Sequence, residues 1–107
     1  PGVLQSRHLF WSISMFKSNE YFDGKVVSIA FQGEALPATV GVMAAGEYEF
    51  STAQKETMTV ISGAMTVQLP GRDDWITYRR NDSFVVAANT RFKLKIEQDS
   101  AYLCTYE

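Results

Sequence analysis

At 107 residues with a net charge of −2, the chain is sized for one domain and shows no electrostatic footprint for nucleic acid or an anionic membrane. A single cysteine, Cys104, excludes an internal disulfide, and no apolar run nears the ~20 residues of a membrane-spanning helix. With 46% apolar and 13% aromatic residues, the chain can build a core without a disulfide or metal staple, and strands are favoured over disorder.

Residues 1–14 differ from the remainder of the chain. Leu9, Phe10, Trp11 and Ile13 suggest the apolar centre of a signal peptide, but Ser12 interrupts the run and Arg7 is its single cation. Met15 is a natural start site. Residues 1–14 are therefore expected to be an appended or upstream-translated extension, or a strand-swapping arm in which Phe10 and Trp11 pack on a neighbouring surface. Residues 15–107 are expected to form the domain, in a soluble, cytoplasmic protein.

From Met15 onward, strand signals recur at short intervals. Lys25 to Phe31 follows an Asp23-Gly24 turn, Ala38 to Met43 follows Pro37, and Glu47 to Phe50 follows Ala45-Gly46. Phe50 closes one strand, and Ser51 to Lys55 make a polar bend. Thr57 to Ser62 and Ala64 to Leu69 flank Gly63, and Pro70-Gly71 breaks the pattern. Trp75 to Arg79 and Ser83 to Ala87 enclose Arg80-Asn81-Asp82. Arg91 to Glu97 alternates strictly, with Phe92, Leu94 and Ile96 on one face and Arg91, Lys93 and Lys95 on the other. Ala101 to Tyr106 ends the chain with Tyr102, Cys104 and Tyr106 sharing a face. Period-two runs bounded by Gly, Pro, Asn and Asp are the signature of strands and turns. No segment sustains a helical period. The chain reads as one all-β domain, a sandwich or barrel.

Much common chemistry is excluded by composition. The one histidine is His8. A zinc site takes three or four His, Cys or carboxylate ligands, and a non-haem iron site takes two histidines and a carboxylate, so neither a metal nor another cofactor is expected. Ser-His-Asp and Cys-His arrangements fail for the same reason. Gly41, Gly46 and Gly63 are too widely spaced for a phosphate loop. Cys104, within a strand pattern, reads as an inert core thiol.

What remains is a polar set: Tyr48, Ser51, Thr52, Gln54, Glu56, Asn89, Arg91, Lys93 and Tyr102. Arg91 and Lys93 fit a solvated strand face or a barrel lumen. Tyr48 and Tyr102 fit core-edge aromatics with hydroxyls reaching water or lumen groups. Glu56 begins a strand beside Met58, Val60 and Ile61, and points either to the surface or into a pocket. Desolvation in a pocket would raise its pKa and suit it to proton transfer.

The stretch from Gly46 to Gly63 resembles the first cupin motif: a glycine, a polar middle, and Glu56 with six residues between it and Gly63. Thr52 and Gln54 stand where that motif carries histidines. Asn81 to Phe92 resembles the second motif, keeping Phe84, Asn89 and Phe92, with Asn81 and Ala87 in the usual glycine and proline places. Asn81 is expected to hold a left-handed turn, and Ala87 to leave the loop carrying Asn89 looser.

More specifically, Ser18 to Val26, Gly41-Val42-Met43, Gly46-Glu47-Tyr48, Phe50-Ser51-Thr52, Glu56, Met58 to Gly63 and Tyr102-Leu103-Cys104 resemble the pyrimidine/purine nucleoside phosphorylases, a family of small single-domain cupins. The resemblance covers residues 15–107. It implies a cupin-type β-barrel (a double-stranded β-helix, or jelly roll), a homodimer, and metal-independent cleavage of purine and pyrimidine nucleosides by inorganic phosphate to free base and pentose 1-phosphate. Under it, Glu56 and Thr52 are the catalytic candidates, Glu56 binding ribose hydroxyls or relaying a proton. Arg91 and Lys93 are candidates for phosphate, with Ser51 and Thr52 as hydroxyl donors. Tyr48 and Tyr102 are candidates to stack the base, and Asn89 to bond its edge. The alternative is a non-catalytic cupin module that binds a small sugar or nucleotide.

Overall fold

Turn chemistry and alternation together explain most of the strands in the computed structural model, which describes residues 16–107. The expectations for residues 1–14, including the roles of Phe10 and Trp11, lie outside the described residues. Ten strands run in order: β1 (Lys17–Tyr21), β2 (Val26–Gln32), β3 (Pro37–Met43), β4 (Gly46–Ser51), β5 (Glu56–Ser62), β6 (Ala64–Gln68), β7 (Ile76–Arg79), β8 (Ser83–Val86), β9 (Arg91–Ile96) and β10 (Ser100–Tyr106). The described residues contain no helix, and so none that could cross a membrane.

The strands form a six-stranded sheet in the order β1-β2-β3-β10-β5-β8 and a four-stranded sheet in the order β4-β9-β6-β7. Neighbours pair antiparallel. This is the all-β, cupin-type architecture. Its core is the pair of facing inner surfaces, where Val26, Val60, Met65, Val67 and Val86 are fully buried and Leu94 nearly so. The β9 alternation explains one such face: Phe92, Leu94 and Ile96 are buried, while Arg91, Lys93 and Lys95 between them are exposed.

Nine strands match the sequence pattern to within a residue at each end. β1 is an addition. Its Lys-Ser-Asn-Glu-Tyr sequence lacks apolar alternation, and pairing with β2 defines it, Tyr21 lying opposite Val26 and Lys17 opposite Ala30. The connecting turn closes with Gly24 N–H donating to the Tyr21 carbonyl at 3.1 Å. Phe22 and Asp23 both take left-handed φ there (53° and 57°), leading into Gly24 at 85°.

Two local features shape the interior. A Cβ at Gly41 would lie 2.6 Å from the Tyr102 hydroxyl and 2.7 Å from the Val27 carbonyl, so this glycine makes the room that the Tyr102 phenol occupies. Asn81 takes the left-handed conformation, φ 75°, as its place in the turn requires. The loop at Ala87, however, is fastened rather than loose. Thr52 and Thr90 each donate a hydroxyl hydrogen to the Ala87 carbonyl at 2.7 Å, and Asn89 N–H donates to the Thr52 carbonyl at 3.0 Å. Two threonines supply the restraint that a proline would give through its ring.

Candidate functional site

Glu56, at the start of β5, opens onto a cavity of about 310 Å³ between the sheets, near the lower end of the range for small-molecule pockets. It is the only charged side chain among the described residues that line it. Its wall on the six-stranded sheet follows from register. Tyr106 lies opposite Glu56, Cys104 opposite Met58, and Tyr102 opposite both Gly41 and Val60. Directly opposed residues share a face, so alternate residues of β10 carry Tyr102, Cys104 and Tyr106 towards the glutamate. A bulge between Ala101 and Tyr102 resets this register.

The polar groups on this wall form a chain. The Cys104 thiol donates to Glu56 Oε1 at 3.5 Å. The Tyr106 hydroxyl and Thr39 Oγ1 share a hydrogen bond of 2.9 Å. Burial raises the Glu56 pKa above the ordinary carboxylate range, partly offset by the bond from Cys104. Burial, reinforced by the neighbouring Glu56 charge, pushes the Cys104 thiol up to about 12. Tyr102 is likewise pushed up to about 12, first by burial and then by Cys104, against a lowering contribution from the Ser28 hydroxyl. Burial also raises Tyr106. This wall therefore presents hydrogen-bond donors, the Cys104 thiol and the Tyr102 and Tyr106 phenols, around one carboxyl group whose pKa is raised. Cys104 stays a thiol and is no nucleophile.

The facing wall is aromatic. Phe50 stacks on Phe92 with centroids 6.0 Å apart at 30°, and Tyr21 meets Phe50 edge-on at 6.3 Å and 86°. Tyr21 is 45% exposed, which places this ring at the mouth. Gln54, in the polar bend, completes the rim.

Of the residues that the sequence singles out, Glu56, Tyr102, Ser51 and Gln54 line the pocket, Ser51 from the last position of β4. The others stand elsewhere. Thr52 is buried, and its hydroxyl donates to the Ala87 carbonyl while accepting from Thr90 N–H at 3.1 Å. Backbone groups of the 87–90 loop thus occupy it. Tyr48 is buried in the core, its hydroxyl donating to the Ala44 carbonyl at 2.6 Å and its ring 5.1 Å from Phe22. Asn89 is exposed on its loop in a left-handed conformation, φ 61°. Arg91 and Lys93 lie on the outer face of β9, opposite Ser51 and Glu49, because Phe92 and Leu94 take the inward positions. The residues passed over are Tyr106, Cys104, Ser28, Tyr21 and Phe50. For the β10 pair the signal existed, since both share a face with Tyr102. Among the described residues no group of three or more His, Cys, Asp and Glu side chains could hold a metal ion.

The comparisons with known proteins extend this picture. A family model for pyrimidine/purine nucleoside phosphorylase matches residues 16–106. A protein of that name from Pseudomonas putida is 63% identical over 92 residues, covering 86% of this chain and 98% of the relative. One from Marinobacter nauticus is 61% identical, with 86% and 99% covered. Among solved structures, a Vibrio parahaemolyticus protein of unknown function superposes with a TM-score of 0.84 at 42% identity, covering 88% of this chain and all of the other. An RmlC-like cupin from Shewanella frigidimarina superposes at 0.68 with 17% identity, covering 86% and 83%, a likeness of fold alone.

Proposed function

The chain belongs to the pyrimidine/purine nucleoside phosphorylase family, and from that premise we propose that it is an enzyme that cleaves purine and pyrimidine nucleosides with inorganic phosphate, releasing free base and pentose 1-phosphate. The observation that carries the site is the pocket with Glu56 on one wall and an aromatic surface on the other. A phosphate oxygen forms a bond to the anomeric carbon as the bond from that carbon to the base nitrogen breaks. The bonding pair leaves with the base, and a proton or hydrogen bond relieves its charge. Positive charge develops on the sugar, as in glycosidic cleavage.

Glu56 suits two parts of this step. Half-buried, with a raised pKa, it carries a proton at a higher pH than an ordinary carboxyl group and can share it with the departing base. Ionised, it accepts hydrogen bonds from the ribose hydroxyls. Tyr102, held neutral, donates a hydrogen bond from the same wall. Phe50 and Tyr21 offer π-surface, and stacking tolerates any base because every base has a π-face, which accounts for a broad substrate range. Thr52 contributes by fastening the 87–90 loop. The donors at the pocket, one carboxylate and one protonated thiol, fall short of the three or four ligands of a zinc site, so the proposed reaction uses no resident metal.

Incubation with uridine or inosine, with and without phosphate, tests the proposal. Phosphate-dependent release of free base is expected. No release from either nucleoside would reject catalysis in favour of a module that binds a sugar or nucleotide.

We also propose a homodimer in a cytoplasmic setting. Ile29 (43% exposed), Val40 (37%), Val42 (53%), Ile61 (43%) and Val85 (51%) form apolar outer surface on the six-stranded sheet, of the kind that marks an interaction site. Sedimentation equilibrium at micromolar concentration should return twice the chain mass, and a monomer there would reject the pairing.

A further inference from the structure

We propose that Lys17, on the inner face of edge strand β1, is the cation that holds the phosphate, with the Asn19 amide beside it. This assignment rests on the phosphorolysis reading above. A phosphate dianion needs a cation or several donors, and among the described residues lining the pocket none is a lysine or arginine, while Glu56 is a carboxylate when ionised. Placing phosphate against that carboxylate in a partly desolvated site is unfavourable. The anion therefore belongs across the cavity from Glu56, on the β1 side of the sheet.

Register identifies what stands there. Tyr21 lies opposite Val26, Asn19 opposite Ser28 and Lys17 opposite Ala30, and directly opposed residues share a face. Tyr21 and Ser28 both line the pocket, so Asn19 and Lys17 continue that inner face along β1. Asn19 is half-buried and Lys17 exposed, so the amide stands beside the Ser28 part of the wall and the ammonium further along the strand, on a long side chain. Glu56 on β5 is four strands away from β1 in the sheet order. At ~4.8 Å per strand that is roughly 19 Å along the curved sheet, so the cation and the carboxylate can address opposite ends of a nucleoside–phosphate pair.

The other described cations are placed differently. Lys55 adjoins Gln54, but its Nζ pairs with Glu107 at 3.6 Å. Arg72 pairs with Asp74 at 2.9 Å. Arg79, Arg91, Lys93 and Lys95 lie on the outer side of the four-stranded sheet, where Lys95 sits over the Trp75 ring at 4.1 Å. Lys25 and Arg80 lie in turns. Arg91 lies opposite Ser51, a lining residue at the end of β4, but Phe92 beside it takes the inward position. Among the described Lys and Arg residues, Lys17 is the one on β1, two alternations along the strand from Tyr21.

Steady-state kinetics with uridine and varied phosphate test this, using Lys17→Met, Lys17→Arg and, as an outer-face control, Arg91→Met. For Lys17→Met the expected result is a rise in phosphate KM of roughly 10–100-fold, the loss of a charge-assisted contact. The uridine KM should stay within about threefold. Lys17→Arg should recover most of the phosphate affinity, and Arg91→Met should match the parent. Phosphorus NMR titration of inorganic phosphate should show saturable broadening with the parent chain and none with Lys17→Met, which reads the site without turnover. An active parent chain with phosphate KM unchanged in Lys17→Met would overturn the assignment. A parent chain that releases no base from any nucleoside would instead overturn phosphorolysis itself.

Discussion

The two sheets share the core but distribute their charged and polar groups differently. The four-stranded sheet is ordinary: Phe92, Leu94 and Ile96 are buried inside, while Glu47, Glu49, Arg79, Arg91, Lys93 and Lys95 are exposed outside. On the six-stranded sheet, β2, β3, β10, β5 and β8 carry one charged residue, Glu56, and it faces the pocket. Thiol, phenol and hydroxyl groups share that interior, and Val42, Val85 and Ile29 are exposed behind it. Solvent on one face and core on the other account fully for the first sheet. They do not account for the pocket region of the second, where thiol, phenol and hydroxyl groups lie inside and apolar side chains lie outside. Both sheets pack the core, the four-stranded sheet adds the aromatic wall of the pocket, and the six-stranded sheet adds its polar groups.

Substitutions inside each sheet should separate these roles. Leu94→Ala, at a position 1% exposed, removes core contacts from the four-stranded sheet and should destabilise the fold by about 2–5 kcal/mol. Denaturant unfolding checks this. Below the transition, the folded variant should keep its kcat within about threefold, since Leu94 does not line the pocket. A loss of activity in the fully folded variant would show that core packing next to Phe92 also sets the pocket's geometry.

Glu56→Gln should show the reverse pattern. Loss of a proton-transfer group lowers kcat by about 100-fold or more, and base release from uridine measures it. Stability should be retained, with a changed pH dependence. Because the folded-state pKa is raised above the value of 4.5 for the free group, the unfolded chain loses this proton first as pH rises. Between that value and the raised one, the folded state binds more protons, so stability falls with increasing pH and levels off above the folded pKa. Urea unfolding from pH 4 to pH 8 should show this decline in the parent chain, and Glu56→Gln should remove that contribution.

The same contrast explains what the sequence reveals. The nine alternating strands are legible because each is bounded by turn residues and half-buried. β1 is not, since pairing across the Phe22–Gly24 turn creates it and its own residues carry no apolar period. Glu56 and Tyr102 are legible because the motif spacing and the shared face on β10 both point inward. Arg91 and Lys93 are drawn towards the site by the need for a cation, but the apolar residues between them decide their direction. Thr52 occupies a histidine place of the motif. What its hydroxyl does depends on the 87–90 backbone, brought to it from 35 residues away in sequence, and no local pattern encodes that.

Thr52→Ala should therefore affect stability more than catalysis. It leaves the Thr90 N–H without its acceptor, while Thr90 Oγ1 still bonds the Ala87 carbonyl. The cost is about 1–3 kcal/mol, seen as a melting temperature lower by roughly 4–8 °C per kcal/mol for a domain of this size. At a temperature where the variant is folded, kcat should stay within about threefold of the parent. A 100-fold fall with an unchanged melting temperature would instead place the hydroxyl at the reacting atoms.

The smallest effect belongs to Lys93→Ala. Lys93 is exposed opposite Glu49 on β4 and Gln68 on β6, and an exposed cross-strand charge pair contributes under about 1 kcal/mol. Stability should therefore change by no more than about 0.5 kcal/mol, and phosphate KM should not change at all. Those two nulls discriminate because Lys93 neighbours Phe92, which lines the pocket. Proximity in sequence would assign it to the site, whereas the pleat assigns it to solvent. A rise in phosphate KM for Lys93→Ala would mean that the outer face of the four-stranded sheet reaches substrate, and the assignment of Lys93 to solvent by the pleat would fail.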